Sequence, residues 1–272
     1  MLWQEIITRS AEVLSMGEPN TAKTYVNVLK LFDDKPTQLS FVDKVREWRN
    51  EVDANTILIR FAALRWVFKH FYREFDSDEV NDILLLMRGV KRLDKKMAFA
   101  TGKAVSKILA RAYDEGRFRE GLAIAMMYYG GMRVSEVVST KVAQFRDTVF
   151  IANSKNNTQR EVPVHPIMRK FFDLYMAERD LLGTDSEYVF VTCQGDMKCN
   201  TLQKTVKALC KKAGYPKLHC HSFRHGCATT LANAGVSEFT IKEYMGHKSM
   251  NTTAKYVHIS KAQLQSAQAV MI

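Results

Sequence analysis

The sequence predicts a mainly α protein of two domains, a helical N-terminal one followed by a mostly helical one that carries a small antiparallel β-sheet. Three observations lead there. Apolar residues recur at helical spacing through the first ninety positions, a basic and weakly periodic stretch follows, and the period changes to that of strands in one place, VFIA and REVPV. A length of 272 residues lies between one and two domains, and 46% hydrophobic residues suffice for packed cores.

In the N-terminal part, Ile57, Phe61, Leu64, Phe68, Phe71 and Phe75 step by fours and threes, which predicts one face of an amphipathic helix. Pro19 followed by Thr21 predicts a helix start ahead of Tyr25, Val28 and Leu29, and Pro36 predicts the end of that element. Residues 1–88 thus read as a bundle of four or five helices. Arg60, Arg65, Lys69 and Arg73 stand off the apolar stripe, as a solvated helix surface or as contacts to a polyanion. The stretch GVKRLDKKMAFAT adds Lys91, Arg92, Lys95 and Lys96 and has the composition of a linker, dividing residues 1–95 from 96–272. Beyond it, helical patterns run from Gly102 to Ala112 and from Arg119 to Tyr129. Two short strands around the polar turn SKNNTQ come next, and helical patterns resume to the C-terminus.

The formal net charge is +11, and the first 96 residues contribute +1 of it, so the second half carries nearly all the excess. Such a balance favours a polyanionic partner, nucleic acid above all. Five cysteines without a regular framework are expected as free, mostly buried thiols. The longest apolar runs, such as Leu122 to Tyr129, fall far short of the roughly 20 residues a bilayer span needs, and MLWQEIITRSAEV lacks a secretory h-region. The expectation is a cytoplasmic protein with no membrane partner.

Four clusters concentrate reactive side chains: GGMRVSE with Arg133 and Glu136, the turn holding Lys155, HSFRH with His221, Arg224 and His225, and MGHKSMNTTAKYVH with His247 and Tyr256. Arg133 follows two glycines and opens a helical pattern, so its backbone and its side chain could both face an anion. His221 and Arg224, three residues apart, share a helix face and can converge on one point.

In this order and spacing the clusters resemble the tyrosine recombinase (phage integrase) family. HSFRHGCATTLANAGVSEFTIKEYMGHKSMNTTAKYVHI is similar to its H-x-L-R-H … A-G … L-G-H … Y-x-H pattern, GGMRVSEV to its G-x-R-x-S-E-L box, and SKNNTQREVPV to the hairpin that holds its lysine. The likeness spans about residues 97–258, and the first domain has the length of the family's core-binding domain. Departures are Phe223 for Leu, Gly226 for Thr, Met245 for Leu, and no glycine beside Lys155.

The resemblance implies a site-specific DNA recombinase, with Tyr256 as the nucleophile that forms a 3′-phosphotyrosyl bond and Arg133 and Arg224 gripping the scissile phosphate. It gives Lys155 protonation of the leaving 5′-oxygen, His221 acid/base work, and His247 a hydrogen bond to the phosphate. Glu136 is expected as a buried partner that orients the site. No ATP, cofactor or metal is called for. Duplex DNA with paired sites is the implied partner, with assembly into a tetramer and room for accessory DNA-bending proteins. SKAQLQSAQAV has the helical character to dock on a neighbouring subunit. The absence of an arm-binding module ahead of the first domain points to a simple-site integrase of a mobile element, with a Xer-like dimer resolvase as the alternative.

Other readings explain less. The spacings of His219, Cys220, His221, His225 and Cys227 match no common zinc pattern. A non-catalytic helix-turn-helix protein could account for LANAGVSEFTIKEYMGH and the charge, but it leaves Arg133, Lys155 and Tyr256 without a purpose. A type IB topoisomerase shares the chemistry and differs in acting on single duplexes.

Overall fold

A computed structural model describes residues 3–16, 19–33, 36–93, 98–151 and 159–247. The chain divides into two compact units, residues 1–96 and 97–272. Both are mostly helical.

The first unit holds α1 (Trp3–Ser15), α2 (Pro19–Leu29), α3 (Gln38–Glu51), α4 (Ala54–His70) and α5 (Ser77–Leu86). Thr37, Asp53 and Asp76 cap α3, α4 and α5, each accepting from backbone N–H groups of the first turn that would otherwise lack partners. Trp3, Phe32, Phe41, Trp48, Phe61 and Phe68 fill the core, largely edge to face.

Two boundaries differ from expectation. The helix opened by Pro19 ends at Leu29 rather than Pro36. The Trp3 indole N–H donates to the Leu29 carbonyl at 3.2 Å, and a tighter turn drops Phe32 into the core. The stripe through Phe75 is likewise not one helix: α4 stops at His70, and a 3₁₀ turn over Tyr72–Glu74 brings the Phe75 ring to 5.1 Å from that of Phe68. Burial of these rings decides both endings, which a helical period alone does not foresee.

The second unit is built around α7 (Phe118–Tyr129), buried continuously from Glu120 to Tyr128 and packed against α6 (Gly102–Asp114), α9 (Pro166–Asp180) and α11 (Cys220–Asn233). After α7 come α8 (Val134–Val138) and the hairpin of β1 (Thr148–Ile151) and β2 (Arg160–Pro163), antiparallel with Ile151 opposite Arg160. Helices α10 (Cys199–Lys212) and α12 (Glu238–Met245) complete the helical shell. Among the described residues there are two small sheets where the sequence suggested one. The second pairs β3 (Val191–Thr192) with β4 (Gly195–Asp196), each too short to show an alternating pattern.

Helix α11 lies so close to the segment entering α6 that a Cβ on Gly226 would sit 2.2 Å from the Ala100 carbonyl oxygen. Ala100 N–H donates to Ser222 O at 2.9 Å across the same contact. This explains Gly226, where the resembling family usually has threonine: the backbones meet there. The effect is to fix the rotation of α11, and with it the heading of His221 and Arg224.

Candidate active site

The site gathers on one buried carboxylate. Chain leaving α7 turns through Gly130 and Gly131, the latter at φ +58°, so that Arg133 becomes the N-cap of α8 and Glu136 its third residue. Glu136 reaches back: its Oε2 accepts the Arg133 backbone N–H at 2.8 Å, and its Oε1 accepts Arg133 Nη1 at 2.7 Å. The Arg133 N–H is therefore occupied, correcting the expectation that backbone and side chain both face an anion. A five-residue helix with its cap filled by Glu136 leaves that task to the guanidinium.

Arg224, on α11, is 7% exposed and donates to the carbonyls of Gly131 and, at 2.6 Å, Met245. Its Nη1 also lies 4.0 Å from Glu136 Oε2. Arg133 Nη2 donates to Gly246 O at 2.7 Å. The two arginines, 91 positions apart in sequence, thus hold adjacent carbonyls of one turn, in which Gly246 adopts φ +61° and ends α12. His247 follows directly, 8% exposed, with its N–H on Lys242 O at 3.0 Å. His221 lies one turn ahead of Arg224 on α11 and is exposed.

Electrostatics follow from this packing. Burial works to raise the Glu136 carboxyl, but Arg160 and Arg133 outweigh it and hold the group below its ordinary range, so it is ionised at neutral pH. Burial, then Arg133, lowers Arg224 to about 9, still cationic at pH 7. Burial, then Arg224, Arg133, Arg160 and His225, lowers His247 to about 4. His221 is lowered too, by desolvation first and then by His219, Arg224 and Arg133. Three arginines around one carboxylate leave two positive charges over, an environment made for an anion.

Arg160 was not among the residues singled out from sequence. It projects from β2, its side chain 8% exposed, and forks onto Glu136 with Nη1–Oε1 3.1 Å and Nη2–Oε2 2.7 Å. A signal existed: strand alternation in REVPV places Arg160 on the same face as Val162, which is fully buried. A charged residue on a buried face calls for a partner.

Arg133, Glu136, Arg224 and His247 meet at this cluster, with His221 on the same helix as Arg224. Lys155 and Tyr256 lie outside the described residues, as do Lys95, Lys96 and SKAQLQSAQAV. In the first unit, Arg65 and Lys69 rim one cleft together with Arg88, whereas the Arg60 guanidinium stacks 4.9 Å over Trp48. Arg73 donates to the hydroxyl of Tyr72 at 3.0 Å, and Lys91 and Arg92 are exposed. His219 caps α11 through Ser222, and Cys220 and Cys227 sit in apolar clusters. Among the described residues no three potential metal ligands gather.

Comparison with known proteins gives one answer throughout. A tyrosine recombinase of Thermosipho africanus (strain TCF52B) is 28% identical over 170 residues, covering 60% of this chain and 57% of that protein. Tyrosine recombinase XerA of Thermococcus onnurineus (strain NA1) is 27% identical over 262 residues, covering 92% of this chain and 88% of that protein. The fold is shared with a lambda integrase tetramer bound to a Holliday junction, at a TM-score of 0.73 and 16% identity, over 95% of this chain and 78% of that one. The phage integrase family model matches residues 98–263, more than half of the sequence and most of the unit that holds the arginine cluster. The chain belongs to the phage integrase family, the tyrosine recombinases, enzymes that cleave and rejoin DNA.

Proposed function

We propose that this protein is a site-specific DNA recombinase in which the arginine cluster receives the scissile phosphate. The observation that carries the reading is the convergence of Arg133 and Arg224, from separate segments, on Glu136 and on the turn that presents His247. The Tyr256 hydroxyl attacks phosphorus in line, forming a 3′-phosphotyrosyl bond while the bond to the 5′-oxygen breaks. A phenol with an ordinary pKa of about 10 is roughly one part in a thousand ionised at pH 7, so the attack needs a proton acceptor. His221, whose pKa is lowered, is neutral there and suited to that task. The departing 5′-oxygen takes its proton from Lys155.

A phosphodiester carries one negative charge and its pentacoordinate state two. The cluster's excess of two positive charges matches the latter, which places its stabilisation on the transition state. The guanidinium forks can hold two non-bridging oxygens in a fixed plane, which a lysine could not. His247, neutral and donor-capable, completes the phosphate contacts. Rejoining reverses these steps on a second strand, so the bond energy is conserved.

The first unit, residues 1–96, is assigned to DNA grip, with Arg60, Arg65, Lys69, Arg73, Lys91, Arg92, Lys95 and Lys96 as contacts to backbone phosphates, and the working assembly is a tetramer on paired sites. Integration of a mobile element is the favoured biological role. Resemblance to XerA over nearly the full length supports a second reading, resolution of dimeric replicons.

The test is covalent capture: trap the protein on a random DNA library and sequence the DNA ends. A single recurrent sequence with inverted half-sites supports site-specific recombination, and two copies of it on one plasmid should then be exchanged. Scattered ends with plasmid relaxation alone would show a topoisomerase instead.

A further inference from the structure

We infer that Arg160 is a positioning residue for the reaction: from β2 it fixes Glu136 and the Met245–His247 turn in the places from which Arg133, Arg224 and His247 meet the phosphate. This rests on the function proposed above. Three contacts carry it. The Arg160 guanidinium forks onto both oxygens of Glu136, the same two oxygens that hold Arg133 through its backbone N–H and Nη1. The Gly246 backbone is pressed against that guanidinium, so closely that a Cβ there would lie 2.5 Å from Nη1. Arg160 also stands opposite Ile151 at the last pair of the β1–β2 ladder, and the chain between these two residues includes Lys155.

Arg160 therefore links the three parts of the site that come from different segments: the α8 N-terminus, the end of α12, and the root of the lysine hairpin. Its own fork is spent on Glu136, so it acts through its neighbours. Without it, Glu136 would keep Arg133 but lose the second fork that fixes its carboxylate plane, and the turn before His247 would lose the surface it leans on. An ion pair serving stability alone would need no contact with the turn that both catalytic arginines hold.

The test measures single-turnover formation of the covalent complex on nicked site DNA carrying either a normal scissile phosphate or a methylphosphonate, which lacks one charged non-bridging oxygen. Wild type, R160Q, R160K, R133A and Y256F are compared. Removing one direct oxyanion donor costs about 10²- to 10³-fold, so an indirect contribution is expected to slow R160Q by about ten- to a hundredfold at saturating DNA, with the half-saturating DNA concentration within about twofold of wild type. R160K, which keeps the charge and loses the fork, should recover part of the rate. On methylphosphonate DNA the R160Q penalty should shrink along with that of R133A, because the oxygen they help to hold is gone. Equal losses on both DNAs, or wild-type cleavage by R160Q, would overturn the inference and leave Arg160 a buried structural ion. Should R160Q fail to fold, R160K carries the same comparison, and its cleaving both DNAs like wild type would overturn the inference. An adduct with Y256F would instead refute the reading of the site, whatever Arg160 does.

Discussion

Glu136→Gln is the most informative single change for the architecture of the site. The carboxylate is 3% exposed and accepts four hydrogen bonds of 2.7 to 3.1 Å, two from Arg133 and two from Arg160, with Arg224 Nη1 at 4.0 Å. A glutamine keeps the shape but offers one accepting oxygen, turns an NH₂ towards a guanidinium, and leaves the buried guanidinium groups of Arg160 and Arg224, and the half-buried one of Arg133, without a counter-charge. Breaking a buried ion pair by removing one partner costs about 3 to 5 kcal/mol. For a unit of this size each kcal/mol moves the melting temperature by about 2 to 4 °C, so a fall of roughly 6 to 20 °C is expected. Thermal unfolding followed by circular dichroism measures it, with Glu187→Gln as the control. Glu187 pairs with Lys141 at 2.9 Å with both side chains exposed, a geometry in which solvent screening leaves little stabilisation. A Glu136→Gln loss no larger than the control's would refute the claim that this carboxylate organises the arginines.

Other expectations are more local. Unfolded His247 titrates near 6.5 and folded His247 at about 4, so the unfolded chain binds more protons between these values. Stability conferred by neutral His247 is complete above pH 6.5 and lost as pH falls towards 4, by on the order of 3 kcal/mol. His247→Asn should flatten the stability profile in that window, with a residual slope from His221, which shifts the same way. An unchanged profile would mean that folding does not lower the His247 pKa. Gly226→Ala places a methyl group 2.2 Å from a backbone oxygen and should cost at least about 1 to 3 kcal/mol in thermal melts; a neutral result would contradict the close approach of α11 and Ala100. Lys155→Ala should cleave normal DNA slowly yet recover on DNA with a sulfur-bridged 5′ leaving group, which departs without protonation. Failure to recover would move the acid role to another residue.

Much of the site was legible because its chemistry sits in short local patterns. HSFRH places His221 and Arg224 on one helical face, and GGMRVSE announces a glycine turn followed by a helix start, so Arg133 and Glu136 could be named without coordinates. What could not be read were contacts distant in sequence. The use of Gly131, Met245 and Gly246 as carbonyl partners depends on two turns meeting, and backbone carbonyls leave no mark in composition. Arg160 fell between these cases, since its strand position was visible in the period of REVPV but its partner, 24 residues earlier, was not. Helix existence in the first unit followed from apolar spacing, whereas the ends of α2 and α4 were set by where Phe32 and Phe75 could be buried. The second sheet, two residues per strand, carries too little sequence to announce itself.

A denaturing gel of end-labelled, nicked site DNA shows whether this cluster serves a tyrosine transesterification. Wild type should give a slowly migrating, protease-sensitive covalent band. Tyr256→Phe should bind the same DNA with unchanged affinity, because binding rests on many Lys/Arg–phosphate contacts, and should give no such band. Arg224→Ala keeps the nucleophile and loses a forked cation, so its band should form more slowly by at least the roughly 10²- to 10³-fold expected for one oxyanion donor. A covalent band persisting in Tyr256→Phe would mean that another residue attacks the phosphate, and the account of the site would be wrong.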